Sequence, residues 1–354
     1  MDELIELGRD DMDPSRRGVL GASLFSVALT VPHWQDVVGR AVALEKGTTH
    51  RIGMADVDMV TAMTERISDL DDEFGGRYAR PMGSNFLVNV VAPALRTDGA
   101  ESVRDAMRSA AADLCYLIGY MAVDEGLHGT AQRYYLKALE LAGAANDHLT
   151  YCTTLRGMSV QAVDLRHSRE AVRLADAAAA AAPQAGPRMR AFLAGQQAHA
   201  AAQAGDTSAA KRFIRDAETA MERAESRGKA LGSYDPSSLH YHVSQVRWEL
   251  GDTAGAVEAM VLSDRTRHSV YQRSRVHRRG LLAERQLHLG HLEAACETWR
   301  LALEDYPKVK SGRADERMRR IFTLLRPHLK NSTARDLYEY AHAVVPERLR
   351  VQHG

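Results

Sequence analysis

The sequence is short of cysteine, proline and aromatic side chains and has no excess of either charge. Each shortage narrows what the chain can be. Its three cysteines, Cys115, Cys152 and Cys296, are scattered through apolar stretches and form no CxxC pair and no His-Cys ligand spacing. That excludes a disulfide framework and points to inert thiols in a reducing, cytoplasmic setting. Lysine plus arginine and aspartate plus glutamate stand at 46 each, so the long-range field that draws a protein to nucleic acid or an anionic bilayer is missing. Neither direct specific DNA binding nor a membrane partner is expected. Runs alternating Val, Ile, Thr and Tyr are scarce, whereas Ala, Leu, Arg and Glu dominate, so the expected class is all-α.

Catalytic signatures are missing as well. The chain has no GxSxG, no Gly-rich phosphate loop and no HExxH, so no enzyme activity and no cofactor are expected. Fifteen histidines invite a metal reading. Yet His240 and His242 are oddly spaced for one helical face, His288 and His291 bracket Gly290 at a turn near Cys296, and no carboxylate pair completes a ligand set at either place; no metal site is expected. The nearest approach to a long hydrophobic run is SRRGVLGASLFSVALTVP, residues 15–32. Arg16 and Arg17 ahead of an apolar stretch resemble a twin-arginine export signal. Acidic residues crowd the region before them, no Ala-x-Ala site closes the run, and it is too short and too rich in Gly and Ser to cross a bilayer. A structural apolar segment is the other reading.

What the chain does have is a recurring offset. Gly126 precedes Ala131 by five residues, and Gly205–Ala210, Gly251–Ala256 and Gly290–Ala295 repeat that step. Seven residues past each anchor lies another small residue: Ala138, Ala217, Ser263 and Ala302. Ala171 with Ala178 and Ala334 with Ala341 join the series without the glycine, and Pro183, Pro307 and Pro346 fall twelve residues past three anchors. The anchors step by 40, 39, 46, 39 and 39 residues. Such a period, with two helices per unit, predicts a right-handed α-solenoid of antiparallel helix pairs over residues 105–345. Small residues let the two helices approach, and Tyr135, Ile214, Met260 and Trp299, four residues past the anchors, fill the space beside each contact.

At these positions the chain resembles the tetratricopeptide repeat. Gly119, Ala131, Tyr135 and Ala138 take the small, small, aromatic and small places of one unit; Ala283, Ala295, Trp299, Ala302 and Pro307 do so in another. The units are longer than the usual 34 residues, and Phe322 replaces the first small residue of the last. Over residues 64–225 the blocks ISDLDDEFGGRYARP, DLCYLIGYMAVDEGLHGTAQRYYLKALELA and LRGMSVQAVDL resemble the C-terminal repeat domain of actinobacterial XRE-type helix-turn-helix regulators. Before Ile52 there is no Q-x3-A-x3-G pair of short helices to form the DNA-reading head. The expected organisation is an N-terminal segment (1–50) without a complete helix-turn-helix, a helical cap (51–104), and a repeat domain (105–354) of about six helix pairs.

The resemblance implies that the first helix of each unit lines a concave face. Inward places then fall to Asp113, Tyr116, Tyr120, Arg156, His199, Tyr241, Gln245, Trp248, His277 and Glu284, with Asn146 and Asp147 in a turn. Aromatics mixed with donors and acceptors suit a peptide or extended protein segment; the other reading of these rings is packing between helices. The function expected is a non-catalytic regulatory scaffold with a protein or peptide partner, homodimerisation included. A ligand-responsive regulator acting through a partner, and an accessory protein of a biosynthetic pathway, remain open. Two stretches stand apart. The acids Asp71, Asp72 and Glu73 before Gly75 oppose a helix dipole, which predicts a helix end near Leu70 or compensation by Arg77 or Arg80. DRTRHSVYQRSRVHRRG, residues 264–280, holds six arginines and one acid; it reads either as a phosphate-binding run or as arginines pairing with acids of adjacent repeats.

Overall fold

The computed structural model describes residues 2–12, 42–44, 46, 51–224 and 234–350. The apolar stretch 15–32, with Arg16 and Arg17, lies outside them. Among the described residues there is no strand, and no helix is long and apolar enough to cross a membrane. The helices are α1 (Asp2–Asp11), α2 (Met54–Phe74), α3 (Gly76–Phe86), α4 (Ala92–Arg96), α5 (Glu101–Asp124), α6 (His128–Ala144), α7 (His148–Asp164), α8 (Ser168–Ala180), α9 (Pro187–Gln203), α10 (Thr207–Glu222), α11 (Pro236–Glu249), α12 (Thr253–Thr266), α13 (Gln272–His288), α14 (Leu292–Asp305), α15 (Gly312–Leu325), α16 (Ser332–Val344) and α17 (Glu347–Arg350). The pairs α5/α6, α9/α10, α11/α12, α13/α14 and α15/α16 pack side by side, which makes the fold an all-α solenoid of tetratricopeptide-like helix pairs.

The recurring offsets explain the pairing. All six anchors (Ala131, Ala171, Ala210, Ala256, Ala295, Ala334) and the six small residues seven places on are fully buried, and each couple lies on the second helix of a pair. Twelve residues before each anchor sits its counterpart on the first helix. A Cβ at Gly119 would come within 2.8 Å of the Tyr135 ring, and where the place holds serine the hydroxyl is put to use: Ser159 Oγ donates to the Ala171 carbonyl at 2.8 Å, and Ser244 Oγ donates to that of Ala256. The turns between paired helices need positive φ, which Gly126, Gly205, Gly251 and Gly290 adopt without a Cβ clash (φ 77–84°). In the α7–α8 turn Arg166 takes the same place at φ 60°, which is why that unit keeps its geometry without glycine.

The chain divides into two compact units, one of Met1–Asp71 with Gly75–Met158 and one of Asp72–Phe74 with Ser159–Gly354. In the first, the acidic amphipathic α1 lies on α3 and α6 with Leu4 and Leu7 buried and Gly8 against Val88, whose Cγ2 would sit 2.4 Å from an added Cβ. Its last residue, Asp11, accepts hydrogen bonds from Arg80, from Ser84 Oγ at 2.7 Å and from Tyr134 Oη at 3.2 Å. Arg80 Nε also donates to Glu125 at 2.7 Å. In the second unit the core follows the helix pairs, densest around Trp299, Tyr306, Met318, Ile321 and Leu337.

The end of α2 corrects an expectation. The helix continues through the acids to Phe74, and Gly75 (φ 94°) terminates it. Arg77 and Arg80, the cations expected nearby, both reach Glu125. Within the second unit Asp72 accepts from a distant cation, Arg273, at 3.5 Å. The three cysteines are buried and free. Burial pushes the Cys115 thiol up to about 12 and those of Cys152 and Cys296 to about 11, so thiolate chemistry is suppressed.

Candidate functional site

In the first unit, α5 carries Tyr116 and Tyr120 and α7 carries Arg156. Tyr116 is buried between Tyr120 and Tyr135, with ring centroids 6.3 and 6.1 Å away, and lies against the bare backbone of Gly157. Arg156 is buried as well, and Tyr120 is partly exposed. Next to these rings is a small acidic network. Thr150 Oγ1 donates to Asp113 at 2.7 Å, Ser109 Oγ donates to Asp147, and Asp147 caps α7 by accepting from the backbone N–H of Leu149 and Thr150. Burial, with Asp147 close by, raises the Asp113 carboxyl to about 6.

The second unit holds His199 on α9, Tyr241, Gln245 and Trp248 on α11, and His277 and Glu284 on α13. His199 is buried; the other five are partly exposed. What brings the five together is a set of arginines. The Arg278 guanidinium stacks 4.7 Å from the centroid of the Tyr241 ring while Nη1 donates to Ser237 Oγ at 2.9 Å and Ser263 Oγ at 2.8 Å. Two helical turns later, Arg285 stacks 5.0 Å from the Trp248 ring centroid while Nη1 donates to Ser244 Oγ at 2.5 Å and Nη2 to Gln245. The two rungs are the same arrangement displaced by seven residues on both helices: Ser237 and Ser244, Tyr241 and Trp248, Arg278 and Arg285. An aromatic face under a guanidinium orients it and offsets part of its desolvation.

From α15, Arg317 Nη1 donates to Glu284 at 3.0 Å and Arg320 Nη1 at 2.9 Å. Gly280 permits this approach, because a Cβ there would come within 2.7 Å of Arg317 Cβ. Arg313, at the start of α15, pairs with Asp164 at the end of α7. The charge of Asp164 also reaches Tyr241 and contributes, after burial, to raising its phenol. The His277 imidazole is held well below its ordinary pKa of 6.5, first by burial and then by Arg317, Arg313, Arg278 and Arg273. Two buried polar atoms here have no hydrogen-bond partner among the described residues: His277 Nδ1 and Arg317 Nε.

The sequence reading reached the rings, the histidine and Glu284 but not Arg285, Arg313, Arg317 or Ser244. The arginine run it singled out stops at residue 280, whereas the informative signal is the seven-residue offset that continues to Arg285. Within the run, four arginines pair with acids: Arg267 with Asp235, Arg273 with Asp72, Arg275 with Asp305, and Arg279 with Asp264 and Asp305. Arg278 is the one turned onto Tyr241. His242, one of the histidines weighed as a ligand, meets Tyr234 Oη through Nδ1 at 3.0 Å.

No family model matches the chain, and no curated protein matches it. Among solved structures it is similar to a monomeric mutant of IFIT1 with m7Gppp-AAAA, at 13% identity and a TM-score of 0.43 over 81% of this chain and 71% of that one. It is also similar to the P58(IPK) TPR domain, at 14% identity and a TM-score of 0.22 over 87% and 88%. The fold assignment rests on this chain's own helix pairs.

Proposed function

We propose that the protein is a non-catalytic, cytoplasmic regulatory scaffold that holds an extended protein segment or peptide on the side of its helix pairs lined by the first helices. The observation that carries the reading is the partly exposed row Tyr241, Gln245 and Trp248 on α11, facing His277 and Glu284 on α13. Rigid aromatics give contact area at low entropic cost, while amide and carboxylate groups beside them satisfy a backbone. The described histidine, cysteine and acidic side chains do not gather into a group of three or more that would hold a metal ion.

Panning a display library of linear peptides against the whole chain tests this. Enriched peptides are expected to lose about 1–3 kcal/mol of binding when Tyr241 or Trp248 is replaced by Ala, with helicity by circular dichroism retained. Peptides that bind equally well to both variants, or no enrichment, would contradict the reading. A second reading, a ligand-responsive regulator acting through a DNA-binding partner, is supported by the resemblance of residues 64–225 to the repeat domains of XRE-type regulators. It predicts no sequence-dependent retention of duplex DNA by the isolated protein in a mobility-shift assay, and retention that appears when the partner is added.

A further inference from the structure

The seven-residue displacement between the two rungs sets a length. Seven helical residues rise about 10.5 Å, and three residues of a chain extended in the polyproline II conformation span about 9 Å and return to the same face. Two side chains three apart on an extended segment therefore reach both rungs at once. Their chemistry is given by what waits there. Arg285 is 3% exposed, and its hydrogen bonds go to the neutral groups Ser244 and Gln245. Arg317 Nε is a buried donor without an acceptor, and His277 Nδ1 beside it is also unmatched. Buried guanidinium donors favour carboxylate oxygens, with which they form short, charge-assisted bonds.

We propose that the face formed by α11, α13 and α15 is a site for an acidic extended peptide whose two carboxylates, three residues apart, sit at the Tyr241–Arg278 and Trp248–Arg285 rungs. The inference rests on the peptide-binding reading above and sharpens it. A carboxylate entering at the Trp248 end adds acceptors within the reach of Arg285 and Arg317, and the backbone it belongs to supplies N–H groups to Glu284 and Gln245. Glu284 is also the reason a peptide suits the face better than a nucleic acid strand. A continuous line of phosphates would run over that carboxylate, whereas a segment with neutral residues between its acids passes it without repulsion.

Fluorescence anisotropy on the full chain tests the proposal with three labelled peptides of one neutral backbone: glutamates at positions i and i+3, glutamates adjacent, and glutamines at i and i+3. The i, i+3 glutamate peptide is expected to bind at least about tenfold more tightly than either of the others, and more weakly as salt rises. Arg285→Gln should abolish that preference, whereas Arg265→Gln, outside the face, should leave it intact. If Arg285→Gln does not fold, the comparison of the three peptides on the unmodified chain decides, together with the His277 imidazole resonance. Carboxylates delivered beside the arginines should move its titration upward toward 6.5. Equal binding of the glutamate and glutamine peptides would overturn the proposal, as would displacement of the glutamate peptide by single-stranded RNA that itself depends on Arg285. Library peptides that need Trp248 but carry no acids would leave the peptide-binding reading standing and remove this inference. Failure of every peptide, acidic or not, would remove both.

Discussion

The two units are made of the same helix pairs, yet their ionisable groups are tuned by opposite fields. In the first, Asp113 is held protonated to about pH 6 by burial and a neighbouring carboxylate, Asp147. In the second, His277 is held neutral by burial and four arginines. The packing code sits on the second helices and is uniform, six alanine anchors buried to the same degree. The electrostatic character sits on the first helices and varies from unit to unit. A repeat fold thus separates what holds it together from what faces a partner, and the second can change without cost to the first.

The largest effect tests how the first unit is closed. Arg80, Asp11 and Glu125 have side chains at most 10% exposed, and removing one member of such a network strands the others. Arg80→Ala is expected to destabilise by about 3–5 kcal/mol in chemical denaturation and to expose α1 to limited proteolysis. A loss below about 1 kcal/mol would mean that the network is solvated.

Next comes the packing code that both units share. Ala131→Leu in the first and Ala295→Leu in the second should each cost about 1–3 kcal/mol by overpacking a helix crossing. Similar losses sharpen the claim of one code; a melting temperature unchanged by either breaks it.

The acidic network gives a smaller, pH-dependent effect. Folding raises Asp113 from 3.8 to about 6, so the folded chain binds the extra proton and loses stability as pH rises through that window. Asp113→Asn, neutral at every pH, should therefore be more stable than the parent above pH 6 by about 2 kcal/mol, the ~3 kcal/mol of two pKa units less about 1 kcal/mol for the weakened Thr150 hydrogen bond, and the advantage should vanish toward pH 4. A pH-independent difference would show that hydrogen bonding to Thr150, and not the charge, governs the site.

The smallest effect concerns the turns. Gly290→Ala forces a Cβ into positive φ and should cost about 1 kcal/mol, whereas Arg166→Gly relieves the same strain and should stabilise by no more than about 0.5 kcal/mol. Equal losses for both would show that the Arg166–Glu249 pair, at 2.8 Å, outweighs the backbone.

The repeat was legible in the sequence because it depends on small residues at fixed offsets, and close helix approach tolerates nothing else at Ala131, Ala210 or Ala295. The rings expected to point inward came from the register of the first helices; Tyr116 is buried among Tyr120 and Tyr135, while Tyr120, Tyr241 and Trp248 are partly exposed. The arginines were not legible. Arg313 meets Asp164 across 149 residues, and a contact of that separation leaves no local pattern. Arg285 lies beyond the basic run that drew notice, and its partner Ser244 reads in isolation as one more small residue. The helix end near Leu70 was misjudged because one cation that meets these acids, Arg273, is 201 residues away from Asp72.

The central claim, that the arginines of the α13 and α15 helices surround His277 in the second unit, is tested most directly by the His277 titration, followed by NMR of the ring protons in the unmodified protein. Because folding lowers this pKa, the neutral ring persists as pH falls through 6.5, and the stability tied to it is lost on further acidification. The account predicts that His277 stays neutral down to well below pH 6.5 and that Arg317→Gln moves its midpoint upward. A midpoint near 6.5 in the parent, unmoved by Arg317→Gln, would contradict it.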